Sequence, residues 1–203
     1  NNPQSGGDML YPVKYGANHD HVVNSLNSGR SFVVYSGLGS NTAWLGPLFD
    51  QEDVRAMTGP PIPLALGLAS DTADFNASDS LARAWVTQPN SGALAYIGSS
   101  ADTYFEQDGE LEQRFFLKLF ESPAEPASLG EALQYALERV GARYPQNALH
   151  YLEAYQLFGD PSLQMVLGPK PPDYSLTASP ERLSLCGDGQ AQTSLQVTGL
   201  YGF

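Results

Sequence analysis

The chain has 203 residues, 42% of them hydrophobic, and a formal net charge of −12 from 22 acidic and 10 basic residues. That length and apolar content suit one domain, or one domain and a piece of another. The longest apolar runs fall well short of the roughly 18 residues that a membrane-spanning helix needs, so no membrane span is expected. The acidity disfavours nucleic acid and anionic membrane as partners. The single cysteine, Cys186, permits no internal disulfide and no multi-cysteine zinc site.

In chain order, Val22, Val23 and Leu26 predict a short helix over 20–26, and the run 31–35 reads as a strand. A helix over 50–57 and an apolar strand over 62–68 follow. Leu81, Ala82, Trp85 and Val86 fall at helical spacing within 78–86, and 93–97 is a third apolar strand. This alternation predicts an α/β fold, a parallel sheet with helices on its faces. A helix over 106–121 carries Leu111, Phe115 and Leu119 on one stripe. Ser128-Leu129-Gly130-Glu131 is a capping-box signal opening a helix to about Arg143, with Leu133, Leu137 and Val140 on its apolar face. A further helix is expected over 147–158, stopped by Gly159-Asp160-Pro161, and a last strand over 162–167.

The composition divides the chain. Residues 1–167 form the α/β domain, 168–173 a stiff linker with Pro169, Pro171 and Pro172, and 174–203 the alternating pattern of a β domain. A β sandwich needs roughly seven strands, so the second domain is expected to continue past Phe203. Residues 1–18 read as irregular, and three parallel strands are few for a doubly wound sheet. Further strands are therefore expected upstream in a parent protein or on a separate chain.

The stretch Val33-Val34-Tyr35-Ser36-Gly37-Leu38-Gly39-Ser40-Asn41-Thr42-Ala43-Trp44 reads as a buried strand delivering a tight loop to a sheet edge. Such an edge is where α/β proteins place their chemistry. Yet Leu38, between the two glycines, can neither move a proton nor attack a carbon.

Gly37-Leu38-Gly39-Ser40-Asn41-Thr42-Ala43-Trp44 resembles the histidine loop, Gly-His-Gly-Ser-x-Thr-x-Trp, of the gingipain-type cysteine peptidases, peptidase family C25. Gly67-Leu68-Ala69-Ser70-Asp71-Thr72 is similar to the segment that carries the family's nucleophilic cysteine. Ala95-Tyr96-Ile97-Gly98-Ser99-Ser100, with Tyr104-Phe105, resembles the strand and loop that wall its specificity pocket. Glu153-Ala154-Tyr155-Gln156-Leu157-Phe158-Gly159-Asp160-Pro161-Ser162-Leu163 matches its closing motif. The likeness covers about residues 13–167. It implies the C-terminal part of a caspase-like parallel-sheet α/β sandwich, followed by the start of an immunoglobulin-like β domain. It also implies a secreted or surface-located bacterial endopeptidase.

Under that resemblance the histidine position holds Leu38 and the cysteine position holds Ser70, or Ala69 if the register slips by one. A cysteine peptidase needs a thiolate and a proton-accepting histidine, so the catalytic dyad is degenerate. His19 and His21 open the first predicted helix, and His150 sits in the closing one. Gly67, Ser99, Ser100 and Phe105 stand where the family's pocket walls stand, and read equally well as ordinary loop and core residues. Asp71 and Asp74 either make the old cleft acidic or cap the helix ahead of Ser78. Asp102, Glu106 and Asp108 form an acidic loop. They suit calcium under the resemblance, or a helix N-terminus whose dipole favours carboxylates. No cofactor is required. The expected partners are a peptide or protein ligand, or other copies of a surface assembly.

Overall fold

The computed structural model describes residues 7–122, 125–165, 173–179 and 193–200. The chain divides into two compact units, Asn1–Met165 and Val166–Phe203.

In the first unit a four-stranded sheet runs in the order β1 (Phe32–Ser36), β4 (Ile62–Leu68), β5 (Ala93–Ser99), β6 (Tyr155–Phe158). The first three are parallel, with Tyr35 opposite Gly67 and Gly67 opposite Gly98. Alternate residues of β4 and β5 feed two cores, as a sheet covered on both faces requires. Ala65, Ala93 and Tyr96 face helices α2 (His19–Asn27), α3 (Gln51–Arg55) and α4 (Leu81–Thr87). Leu64, Leu66, Leu68, Ala95 and Ile97 face α5 (Phe105–Leu119), α6 (Leu129–Arg143) and α7 (Ala148–Ala154).

Helix starts follow local chemistry. Asn18 and His21, Asp50 and Asp53, and Ser128 and Glu131 each form a reciprocal cap, satisfying backbone N–H groups that a first turn leaves free. Ser80 caps α4 through the Arg83 N–H. The predicted stripe Leu111, Phe115 and Leu119 is buried, as are Leu133, Leu137 and Val140.

Four regions differ from expectation. The segment 9–17 contains a one-turn helix, α1 (Pro12–Tyr15). A hairpin of β2 (Ala43–Leu45) and β3 (Leu48–Asp50) follows the first loop. It buries Trp44 and Phe49 and exposes Leu45 and Leu48. The helix expected over 147–158 stops at Ala154, and Tyr155–Phe158 becomes β6, antiparallel to β5 with Ser99 opposite Tyr155. Aromatic and apolar side chains there complete the sheet edge, which outweighs helical periodicity. In place of a strand over 162–167, the described residues hold only a bridge between Gln164 and Ser128.

In the second unit, β7 (Asp173–Ser179) and β8 (Ser194–Leu200) pair antiparallel. Asp173, assigned to the linker from sequence, opens β7; the rest of that linker and Cys186 lie outside the described residues.

Trp44, Phe49, Trp85 and Tyr96 form an aromatic cluster, with Trp85 centroids 5.5 Å from Trp44 and 5.8 Å from Phe49. On the opposite face, Asp108 on the first turn of α5 is only 4% exposed. Its carboxylate accepts hydrogen bonds from Tyr155 Oη at 2.6 Å, Thr103 Oγ1 at 2.7 Å and Tyr151 Oη at 3.0 Å. Burial nonetheless outweighs these donors and raises its pKa above the usual 3.8.

Two outcomes follow. Trp85→Ala is expected to cost about 3–5 kcal/mol in denaturant unfolding. Trp85→Phe costs much less, because Trp85 Nε1 is buried without a hydrogen-bond partner among the described residues and Phe removes that unmet donor. Asp108, with its raised folded pKa, holds its proton more tightly when folded, so its contribution is present below 3.8 and is lost as pH rises through the folded value. The stability of wild type relative to Asp108→Asn should therefore fall as pH rises above 3.8 in urea titrations. A flat difference overturns the assignment.

Candidate functional site

The parallel strands deliver three loops to one edge of the sheet, at the C-terminal ends of β1, β4 and β5, where α/β folds bind ligands. The first loop is organised by Tyr35. Its hydroxyl donates to the Leu38 carbonyl at 2.7 Å and accepts from the N–H groups of Leu45 (3.2 Å) and Gly46 (3.0 Å). Its ring stacks on Trp44 at 5.0 Å and 9°. The Leu45 N–H also reaches the Leu38 carbonyl at 3.0 Å, tying the loop to the β2–β3 hairpin. The backbone of Leu38 is thereby fixed, while its side chain is 78% exposed.

The two glycines are required by close approach. A Cβ on Gly37 would lie 2.8 Å from Tyr35 Oη. On Gly39 it would lie 2.6 Å from the Ser70 carbonyl oxygen and 2.9 Å from Ala69 Cβ. The first loop thus lies directly against the second, and the structure brings Leu38 and Ser70 to the same edge. Ser70 is half-buried, and its Oγ accepts the Thr103 N–H at 3.0 Å. Asp71 follows at φ 61°, a left-handed conformation that Asp tolerates better than most residues.

The residues read from sequence as pocket walls occupy varied positions. Gly67 is buried against Tyr96 Oη and the Thr72 hydroxyl. Ser99 is fully buried and closes a turn, its hydroxyl 2.8 Å from the Ala101 carbonyl. Ser100 anchors to the Ala154 carbonyl through its N–H (2.8 Å) and Oγ (3.1 Å). Phe105 is 81% exposed. Asp102, Glu106 and Asp108, read as a possible calcium set, do not converge. Among the described residues no group of three or more His, Cys, Asp or Glu side chains is arranged to hold a metal. Asp102 and Glu106 face outward, whereas Asp108 turns inward to its three hydroxyl donors.

Burial, then the like charges of Asp102 and Asp74, raise the Asp71 pKa. The lip beside Ser70 therefore gathers the carboxyl groups of Asp71, Asp74 and Asp102, close enough for their charges to oppose one another. Each histidine is engaged elsewhere. His19 Nε2 lies 2.8 Å from Asp53, which together with Asp20 raises its pKa. His21 Nδ1 accepts the Asn18 N–H. His150 Nε2 lies 2.7 Å from the Asp102 carbonyl and donates to it, since a carbonyl only accepts. Sequence reasoning passed over Tyr35, Thr103, Tyr151 and Tyr155. Of these, only Tyr35 carries a sequence signal, an aromatic ending an apolar strand immediately before Gly-x-Gly.

Comparison with known proteins agrees with this arrangement. The sequence profile of Peptidase family C25 matches residues 5–166. Lys-gingipain HG66 of Porphyromonas gingivalis is 26% identical over 219 residues, covering 88% of this chain and 13% of that protein. Lys-gingipain W83 of the same organism is 28% identical over 179 residues, 76% of this chain and 10% of that one. Among solved structures, the Arg-specific cysteine proteinase gingipain R superposes with a TM-score of 0.69 at 24% identity, over 80% of this chain and 40% of its own. The complex of the Porphyromonas gingivalis gingipain pro- and mature domains gives 0.68 at 22% identity, again over 80% and 40%. The structural likeness shows a shared fold, and the chain spans only a small part of the relatives' length. With most of its α/β unit covered by the family profile, the chain belongs to peptidase family C25.

Proposed function

We propose that this is a catalytically silent C25 domain, a pseudopeptidase whose cleft binds a peptide or protein ligand within a larger secreted or surface-located bacterial protein. The observation that carries the reading is Leu38, exposed on a loop packed against Ser70. A serine attacks only when an adjacent base takes its proton. The side chain at position 38 is a hydrocarbon, and the three histidines are committed to Asp53, Asn18 and Asp102. Loss of a nucleophile–base pair removes on the order of four or more decades of rate. The frame that would align a ligand stays ordered, which supports binding as the remaining use of the edge. The antiparallel β7–β8 pair fits the further proposal of an immunoglobulin-like domain in the second unit.

The test is incubation of the chain with a mixed peptide library, with cleavage and retention read separately by mass spectrometry. Wild type and Ser70→Ala are expected to leave the peptides uncut while retaining a subset of them. Cleavage that disappears in Ser70→Ala would establish the alternative, an active endopeptidase that uses Ser70. Cleavage that persists in Ser70→Ala would place the catalytic groups elsewhere, and would equally overturn the silent reading.

A second reading, a building block of an extracellular assembly of copies, is favoured by a different surface. Among the described residues β1 pairs only with β4, leaving a strand edge open. Phe32 at its start lies against Phe116, with ring centroids 5.4 Å apart and tilted by 42°, beside a groove of about 680 Å³ lined by Gly109, Glu112, Phe116, Leu117 and Phe120. Self-association through this face should appear as a rise in mass with concentration in light scattering and vanish in Leu117→Glu. A concentration-independent monomer mass sinks this reading.

A further inference from the structure

The buried carboxylate of Asp108 has no cationic partner among the described residues, yet it organises the segment 100–104 that faces Ser70. We infer that Asp108 is the positioning residue of the cleft: through Thr103 it sets the orientation of the Ser70 hydroxyl and the distance between the second and third loops. This rests on the reading of the cleft as a binding site and assigns the parts that hold it in shape.

Thr103 is held at two points. Its Oγ1 donates to Asp108 at 2.7 Å, and its N–H donates to Ser70 Oγ at 3.0 Å. With the side chain tied to a buried carboxylate, the backbone N–H has little freedom to turn from Ser70. Tyr151 fixes the next residue. Its hydroxyl accepts the Tyr104 N–H at 2.9 Å and lies 3.0 Å from Asp108. Its one proton serves Asp108 or the Tyr104 carbonyl, 3.2 Å away, so Asp108 and Tyr104 compete for the same donor. Tyr155 Oη contributes the shortest of the three bonds to Asp108, 2.6 Å, from the edge strand. Behind the segment, Ser100 is anchored to Ala154 and the Asp102 carbonyl to His150. In front, the Asp71 N–H donates to the Ala101 carbonyl at 3.3 Å.

Two elements far apart in sequence, the start of α5 and the α7–β6 junction, thus converge on one carboxylate, and the cleft wall hangs from it. A buried carboxylate without a cation is costly to desolvate. Its three acceptor contacts supply a directional constraint that an apolar side chain of the same volume cannot. At the far end of the relay, Ser70 Oγ spends a lone pair on Thr103 and keeps its own O–H as a donor. Ser70 is therefore presented to the cleft as a hydrogen-bonding group with a fixed direction, suited to a ligand carbonyl oxygen.

The relay can be read without knowing the ligand. In a Cys186→Ser background, Ser70→Cys places a single thiol at the end of the relay, and iodoacetamide alkylation as a function of pH reports its surroundings. A backbone N–H aimed at the sulfur favours the thiolate. Thr103→Val keeps the shape and the N–H but cuts the tie to Asp108. It should move the alkylation profile to higher pH and slow the reaction at neutral pH by about twofold to tenfold, the equivalent of one neutral hydrogen bond. Asp108→Ala should do the same, while Asp108→Asn, which still offers Thr103 an acceptor oxygen, keeps the profile close to that of the parent. Leu111→Ala, one turn further along α5 and facing the core, should lower Tm without moving the profile. An unmoved profile in Thr103→Val, or an equal movement in Leu111→Ala, overturns the relay. Should Asp108→Ala fail to fold, Thr103→Val decides alone. Peptide retention by the unmodified chain is scored separately, so failure of the relay and failure of the binding reading are distinguishable.

Discussion

The site depends on a backbone contact. At Gly39 the first loop approaches the second so closely that a Cβ would lie 2.6 Å from the Ser70 carbonyl oxygen. The Thr72 methyl and the Ala69 Cβ press on Gly39 as well, so the spacing of the two loops is set by these groups and the main chain and not by what projects from position 38 or 70. Tyr35 fixes the other side, gathering the Leu38 carbonyl and the Leu45 and Gly46 N–H groups on one hydroxyl. That hydroxyl is itself held by the ring stacked on Trp44, and Trp44 is a member of the aromatic core. Loop geometry is thus an extension of core packing, one hydrogen-bonded ring away from the sheet.

Position 38 then becomes a choice about surface chemistry. A leucine fully removed from water contributes about 1.5–3 kcal/mol, and at 78% exposure most of that remains unrealised. Leu45 and Leu48, paired across the neighbouring hairpin, are also exposed. An apolar lip next to the carboxylates of Asp71, Asp74 and Asp102 differs from both a proton-transfer site and an ordinary solvated edge. Its unspent apolar area is available to a ligand, whereas a histidine there would have served a reaction.

What was legible in the sequence is what local chemistry determines. The Ser128 cap, the stripe on α5 and the apolar runs of β4 and β5 are each written in neighbouring residues. The failures are non-local. β6 carries residues that also suit a helix, and only the open edge of β5 decides for strand. The β2–β3 hairpin has strands of three residues, too short to show alternation, and is held by Trp44 and Phe49 entering a core built from distant segments. Asp108 misleads in the same way. An acidic residue in a first helical turn reads as a solvated group on the helix dipole. Its true environment is supplied by Tyr151 and Tyr155, more than forty residues later.

These dependencies explain how the loop frame keeps its geometry whatever side chain stands at position 38. Gly37 and Gly39 are needed because Tyr35 and Ser70 press against them, Trp44 because it fills the core, and Thr103 because it joins Asp108 to the second loop. None of these roles involves a reacting atom. Of the two positions where chemistry would sit, Leu38 projects largely into solvent, while Ser70 touches the frame through one acceptor contact, the Thr103 N–H. Exchange at position 38 therefore leaves loop geometry and core intact, and exchange at position 70 does so where the new side chain still accepts that N–H. This separation of frame from chemistry, with Asp108 and Tyr35 on the side of the frame, is what the proposed role of binding without cutting requires.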